Sequence, residues 1–250
     1  MEICLFIVAA STRELDAATA NQFAAALSAR ADAIAGLRRM VVHVGLTGGI
    51  TDPYLHQAAS PRFALQLYFD EMALLEASLK EGGPLREWLD PAQFAAAAEC
   101  EFTQQVMAVR HFSVPEPRAA GQADAAGGSA PAPETTRCTY LVSYEGEAEN
   151  YDAWLGHYVD HHPVIMARFP GIREIEIYTR MDYRSALPAA RSRAMQRNKV
   201  VFDSPEALSR ALTSPVRHEM RDDFKKFPPF IGENFHFPMI STYWTRAPSH

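Results

Sequence analysis

Apolar and polar positions follow one rhythm twice along the chain. The runs "ICLFIVAA" and "CTYLVSYE" are short, apolar and rich in β-branched or aromatic residues, so each predicts a strand. A helical stretch follows each. Then "IAGLRRMVVHVG" aligns with "FPGIREIEIYTR", setting Gly36 against Gly171, Leu37 against Ile172 and Arg38 against Arg173. Each glycine is expected to close its helix in the left-handed cap conformation, and the alternation after it predicts a second strand. "RFALQLYFDEMALLEASL" and "RNKVVFDSPEALSRAL" share a Phe-Asp step, Phe69-Asp70 and Phe202-Asp203, where a third strand gives way to a capped second helix. Last strands fall near "TQQVMAVRHFSV" and "NFHFPMISTYW". The order is β-α-β-β-α-β, repeated, which is two ferredoxin-like units of an α+β protein. A four-stranded sheet with helices on one face leaves the other face bare. Two such sheets can bury those faces against each other, so an intramolecular pseudo-dimer is expected.

The stretch from Pro115 to Thr136 is rich in Pro, Gly and Ala and has almost no large apolar group. It cannot bury enough surface to offset its ordering entropy and reads as a flexible linker. The expected organisation is a first half at 1–114, the linker at 115–136 and a second half at 137–250. Apolar residues make up 48% and charged residues 22% of the 250, an ordinary globular composition. The net charge of -6 argues against nucleic acid, and no polybasic patch points to a membrane. The apolar run at Ile3–Ala10 is too short to span a bilayer and lacks the charge order of a signal peptide. Cys4, Cys100 and Cys138 are far apart, with no disulfide or zinc spacing. A cytoplasmic protein is expected, with a small molecule as its partner and room left for a homodimer.

The second half carries a denser pattern. Trp154, Tyr158 and His162 recur every fourth residue, and Pro170-Gly171 follows. With the tandem repeat, this resembles the dimeric α+β barrel superfamily, and the second half resembles its EthD-like branch. The resemblance implies an intramolecular dimeric α+β barrel. It also implies activity of the kind found in cofactor-independent isomerases, lyases and monooxygenases that act on aromatic-derived, lactone or enolisable carbonyl compounds. A non-catalytic binding protein of a catabolic pathway is the alternative. Pro163 follows His162 directly, whereas the branch has His-x-Pro, so the functional histidine is either His161 or His162.

On a helix beginning at Tyr151, with Asn150 as N-cap, the residues Tyr151, Trp154, Leu155 and Tyr158 form one apolar stripe with His162 near its middle. Pro163 is expected to end that helix and aim a histidine inward. An imidazole titrates near neutrality and suits acid/base work, and a tyrosine can steady an oxyanion. The candidate catalytic residues are therefore His162, His161 and Tyr158. The candidate substrate contacts are Trp154, Tyr140, Tyr144, Tyr178, His236, Arg173, Arg180 and Arg184. No cofactor and no metal are expected. "HYVDH" puts two imidazoles one turn apart around an acid, but Asp stands where some zinc proteases have Glu, and a third ligand is lacking. His218, Asp222 and Asp223 read as a solvated helix face. "GLTGGITDP" reads as a turn, and Leu27 stands in the first half where His162 stands in the second. The segment "RMDYRSALPAARSRAMQR" holds five Arg and far exceeds the length such a connection needs. It is expected to act as a lid over the second-half pocket, with Arg180, Arg184 or Arg191 meeting an anionic group.

Overall fold

The computed structural model describes residues 1–46, 48, 50, 52–54, 60–115 and 136–247. The linker expected at 115–136 lies, apart from its two end residues, outside the described residues. The first half runs β1 (Ile3–Ala10), α1 (Ala17–Ala31), β2 (Leu37–Gly45), β3 (Phe63–Phe69), α2 (Met72–Leu79), two 3₁₀ turns (Pro84–Leu89 and Ala95–Ala97) and β4 (Glu101–Phe112). The second runs β5 (Thr136–Ala148), α3 (Tyr151–Met166), β6 (Ile172–Arg180), the two-residue β7 (Ala190–Arg191), β8 (Ala194–Phe202), α4 (Pro205–Leu212), α5 (Pro215–Phe224) and β9 (Phe230–Thr245).

The strands form one sheet in the order β1-β3-β2-β9-β5-β8-β6-β4, and β1 also pairs with β4, which closes it into an antiparallel barrel. Within each half the order is fourth, first, third, second strand. The halves meet along β2–β9, where Met40 faces Trp244, and along β4–β6, where Val109 faces Tyr178. β3 and β8 are buried on both faces, so neither shows an apolar/polar alternation. Phe63, Leu65, Leu67 and Phe69 point to the first-half helices, while Ala64 and Tyr68 point into the barrel.

The barrel interior combines an apolar cluster, with Phe6, Val41, Met107, Leu141 and Met239, and a polar network. Lys199 Nζ lies 2.8 Å from Glu176, and Arg39 pairs with the same carboxylate. Burial raises the Glu176 pKa, but these two cations outweigh it and hold the group below the carboxylate range. Tyr68 and Tyr178 also donate to Glu176. His43 is bound on both ring nitrogens, to Ser241 and Gln66, each at 2.7 Å. Among the described residues, Glu2, His111 and Glu176 gather potential metal-ligand atoms, but Glu176 is already engaged by the two cations.

Helix starts follow the capping chemistry. Asp16 accepts from Thr19 N at 2.9 Å and Asn150 from Ala153 N at 3.0 Å. Three expectations need correction. Pro163 does not end α3, which continues to Met166. Its fixed φ is helical and only one intrahelical hydrogen bond is lost, while His162, Pro163 and Met166 are all buried. Gly36 and Gly171 both have φ near +77°, but they sit in the turns before β2 and β6, beyond the helix caps at Asp32 and Ala167. The Arg-rich segment after β6 is not a lid over the second half. It is strapped to the first: Ala186 N donates to Leu79 O at 2.8 Å, Leu187 enters the first-half core, and Arg184 pairs with Glu76. Its length and charge suggested a solvent-facing cover, but Tyr183 and Leu187 supply the apolar groups that pin it down.

Candidate active site

Helices α3, α4 and α5 cross the outer face of β5, β8 and β9 and leave a pocket between them. The wall is largely apolar, with Val142, Met166, Val200, Leu208 and Met220 among its residues. Polar groups interrupt it, among them Tyr140, Asn198, His236, Arg217, Arg221 and His162. Such a space, apolar with polar groups set into it, is the usual form of a small-molecule site.

His162 reaches the wall because it lies on the buried stripe of α3 with Trp154 and Tyr158. Its Nδ1 is 2.7 Å from Asp223 Oδ2, on α5. A carboxylate only accepts, so Nδ1 carries the proton and Nε2 presents a lone pair. Nε2 has no hydrogen-bond partner among the described residues. Burial lowers the His162 pKa below its ordinary value. The bond to Asp223 opposes that shift, and the Arg217 charge adds to it. The imidazole is therefore neutral at neutral pH. Burial would raise the Asp223 pKa, but the hydrogen bond from His162 and the nearby His157 outweigh it and keep Asp223 ionised. His157 Nε2 approaches the other Asp223 oxygen at 3.3 Å. Phe227 packs edge-on against the rings of His157, Tyr158 and His162.

Asn198 Oδ1 and His236 Nδ1 are buried without hydrogen-bond partners among the described residues. Burial pushes the His236 pKa down to about 3, so this ring is neutral as well. Tyr140 and Tyr144 both line the space. Tyr158 lies behind the wall, fully buried, and accepts from Asn198 Nδ2 at 2.6 Å. Trp154 stacks on Tyr158 at 5.3 Å as support. His161 is on the outer face of α3, with Nδ1 on the His157 carbonyl at 2.9 Å and its ring stacked on His157.

The remaining candidates lie elsewhere. Tyr178 belongs to the barrel network. Arg173 pairs with Asp203 at the end of β8, Arg180 lies over the Tyr151 ring, and Arg184 is on the first half. Arg191 packs over Tyr183.

Residues that the sequence reading passed over complete the site. Asp223 was assigned to a solvated face, yet it is buried, whereas Asp222 and His218 are exposed. The signal was available: Asp223 continues the stripe of Val216 and Met220 at helical spacing, and an acid on an apolar stripe needs a partner. Arg217 and Asn198 were also missed. The first half contributes too. Ile50 joins the second-half core, and Asp52, from the glycine-rich stretch read as a turn, reaches Arg217 and Tyr140.

No protein-family model matches the sequence, and no curated protein matches it. Solved structures do. An anthrone oxidase-like protein superposes with a TM-score of 0.61 at 14% identity, covering 98% of this chain and 92% of that one. A proposed monooxygenase from Lactobacillus acidophilus NCFM gives 0.53 at 9% identity, covering 98% and 97%. Another, from Fusobacterium nucleatum subsp. nucleatum ATCC 25586, gives 0.53 at 7% identity and covers 98% of both chains. These likenesses show the fold, an α+β barrel shared along the whole chain. Among the described residues, no helix is long and apolar enough to cross a membrane.

Proposed function

We propose that the protein is a cofactor-independent enzyme whose first chemical step is proton abstraction by His162 from a small phenolic or enolisable carbonyl compound. The observation that carries this reading is the His162–Asp223 pair, with Nδ1 held at 2.7 Å and Nε2 left free in an apolar pocket. A carboxylate that fixes the tautomer and steadies the imidazolium is what a histidine base requires. The halves are read as ferredoxin-like units of an EthD-like dimeric α+β barrel, supported by the matching strand order in each.

Isomerisation, lyase chemistry and cofactor-free oxidation can all begin this way. Oxidation is the first to test, because a protein of like fold is described as anthrone oxidase-like. In that reaction a methylene becomes a ketone while one dioxygen supplies the carbonyl oxygen and one water. The experiment is a panel of anthrone-type phenols and enolisable lactones, followed by oxygen uptake and by deuterium entry from heavy water. Wild-type protein should turn over at least one class and His162→Ala should not. Equal rates in the two purified proteins would overturn the role. Tight binding without conversion or exchange would favour a binding protein.

A further inference from the structure

The side of the pocket where α5 meets the first half is built around a carboxylate from that half. Asp52 accepts from Arg217 Nε and Nη2, each at 2.9 Å, and from the Tyr140 hydroxyl at 3.0 Å. It also takes the Tyr54 backbone N–H at 2.9 Å, which fixes its own turn. Both side chains of the ion pair are nearly sealed from solvent, Asp52 at 3% and Arg217 at 11% exposure. The Arg217 guanidinium also packs over the Tyr54 ring. A guanidinium carries five N–H donors, and this arrangement uses Nε and one edge of Nη2. Nη1 is left without a hydrogen bond to the described residues, on a side chain that lines the pocket.

We propose that the pocket holds its substrate as an oxyanion, a phenolate or enolate, received by Arg217 Nη1, and that Asp52 of the first half is the residue that positions Arg217. The inference rests on the reading of this pocket as the substrate site. Charge balance explains why the carboxylate is needed. In the resting site, Arg217 is neutralised by Asp52, and His162 is uncharged beside Asp223. A neutral substrate therefore enters a pocket in which Arg217 is already paired. When its O–H or activated C–H bond breaks, the proton goes to His162 Nε2 and the electron pair to the substrate oxygen. The imidazolium is then paired with Asp223, and the new oxyanion meets a preorganised donor on a guanidinium that cannot lose its proton. His236 and Tyr144, which share the pocket, are both neutral and add no competing charge: burial lowers the first pKa and raises the second. Arg221 also lines the space and reinforces the positive side.

The probe is 4-nitrophenol, whose phenolate absorbs visible light. Bound to the wild-type protein, it should ionise at a lower pH than in water by about one unit, a tenfold change in ratio. Arg217→Met should abolish that shift. Asp52→Asn keeps an acceptor but removes the negative charge, so the bound phenol should ionise at still lower pH. At the same time, the unbalanced cation should weaken the His162 base and slow turnover. A clamp that only joined the halves would lose binding and stability with no change in ionisation. His162→Ala should keep the spectral shift and lose turnover, which separates failure of the base from failure of this inference. If Arg217→Met does not fold, the direction of the Asp52→Asn shift decides alone. Absence of binding, or equal ionisation in wild type and Arg217→Met, would overturn the proposal.

Discussion

In the first half, Leu27 of α1 is buried in one cluster with Phe23, Phe63, Trp88 and Phe94, which pack between helices and sheet. In the second half, His162 takes the corresponding place on α3, and the same space is a pocket. The difference begins after the second helix. In the first half the chain passes through two 3₁₀ turns that send Leu85, Trp88 and Leu89 inward. In the second it forms α5, which brings in Arg217, Met220 and Asp223. One architectural rhythm thus yields a solid half and a hollow half. The contrast shows that the sheet sets where a site can be, while the segment between second helix and last strand sets whether one exists.

The largest test of this contrast is His162→Ala. If only the hollow half works, the rate should fall by roughly 10²–10⁴-fold with circular dichroism unchanged. Survival of half the activity would mean that the solid half also turns over substrate. Next comes Leu27→Ala at the matching position. Removing a fully buried side chain from a packed cluster should cost about 2–5 kcal/mol in denaturant unfolding. Turnover at low temperature should be unaltered. A stability loss from His162→Ala as large as that from Leu27→Ala would mean that both spaces are equally packed.

A third test uses pH. Burial pulls His43 and His236 from the ordinary 6.5 down to about 3, and lowers His162 as well. The native chain thus refuses protons that the unfolded chain accepts. The stability these groups contribute is complete above the unfolded value and is lost as pH falls from there toward about 3. Because His162 is also depressed, the acid limb of kcat/KM should lie below the ordinary histidine value. A limb above that value would contradict the neutral buried base. The smallest effect is expected at Arg184, whose side chain is 89% exposed on the first half. Arg184→Ala should leave melting and ligand affinity unchanged, and a fall in affinity would return the Arg-rich segment to the pocket.

Much of the fold was legible because the signals are local. The bounds Ile3–Ala10 for β1 and the Asn150 cap of α3 follow from short patterns. The pocket side of α3 was legible for the same reason, since helical spacing alone aims His162. Asp52 was not, because its partner Arg217 is 165 residues away and nothing near Asp52 announces it. The course of the Arg-rich segment was misjudged because charge and length say that a loop is exposed at its edges, not which half it leans on. Asp223 was misjudged because three polar residues on one helix were taken together, although they occupy different faces.

The closure of the barrel bears on how the chain comes into being. β2 is completed by β9 and β4 by β6, so each outer strand of the first half pairs with a strand of the second. As the chain leaves the ribosome, the first half emerges with two bare sheet edges and a face carrying Arg39, Gln66 and His43 that has nothing to meet. Edges in that state can capture strands from neighbouring nascent chains. The β2 edge stays open until Met239–Thr245 emerges and lies along Arg39–Gly45. Synthesis thus exposes a sticky intermediate for most of its course, and its yield should depend on the rate at which the second half is delivered.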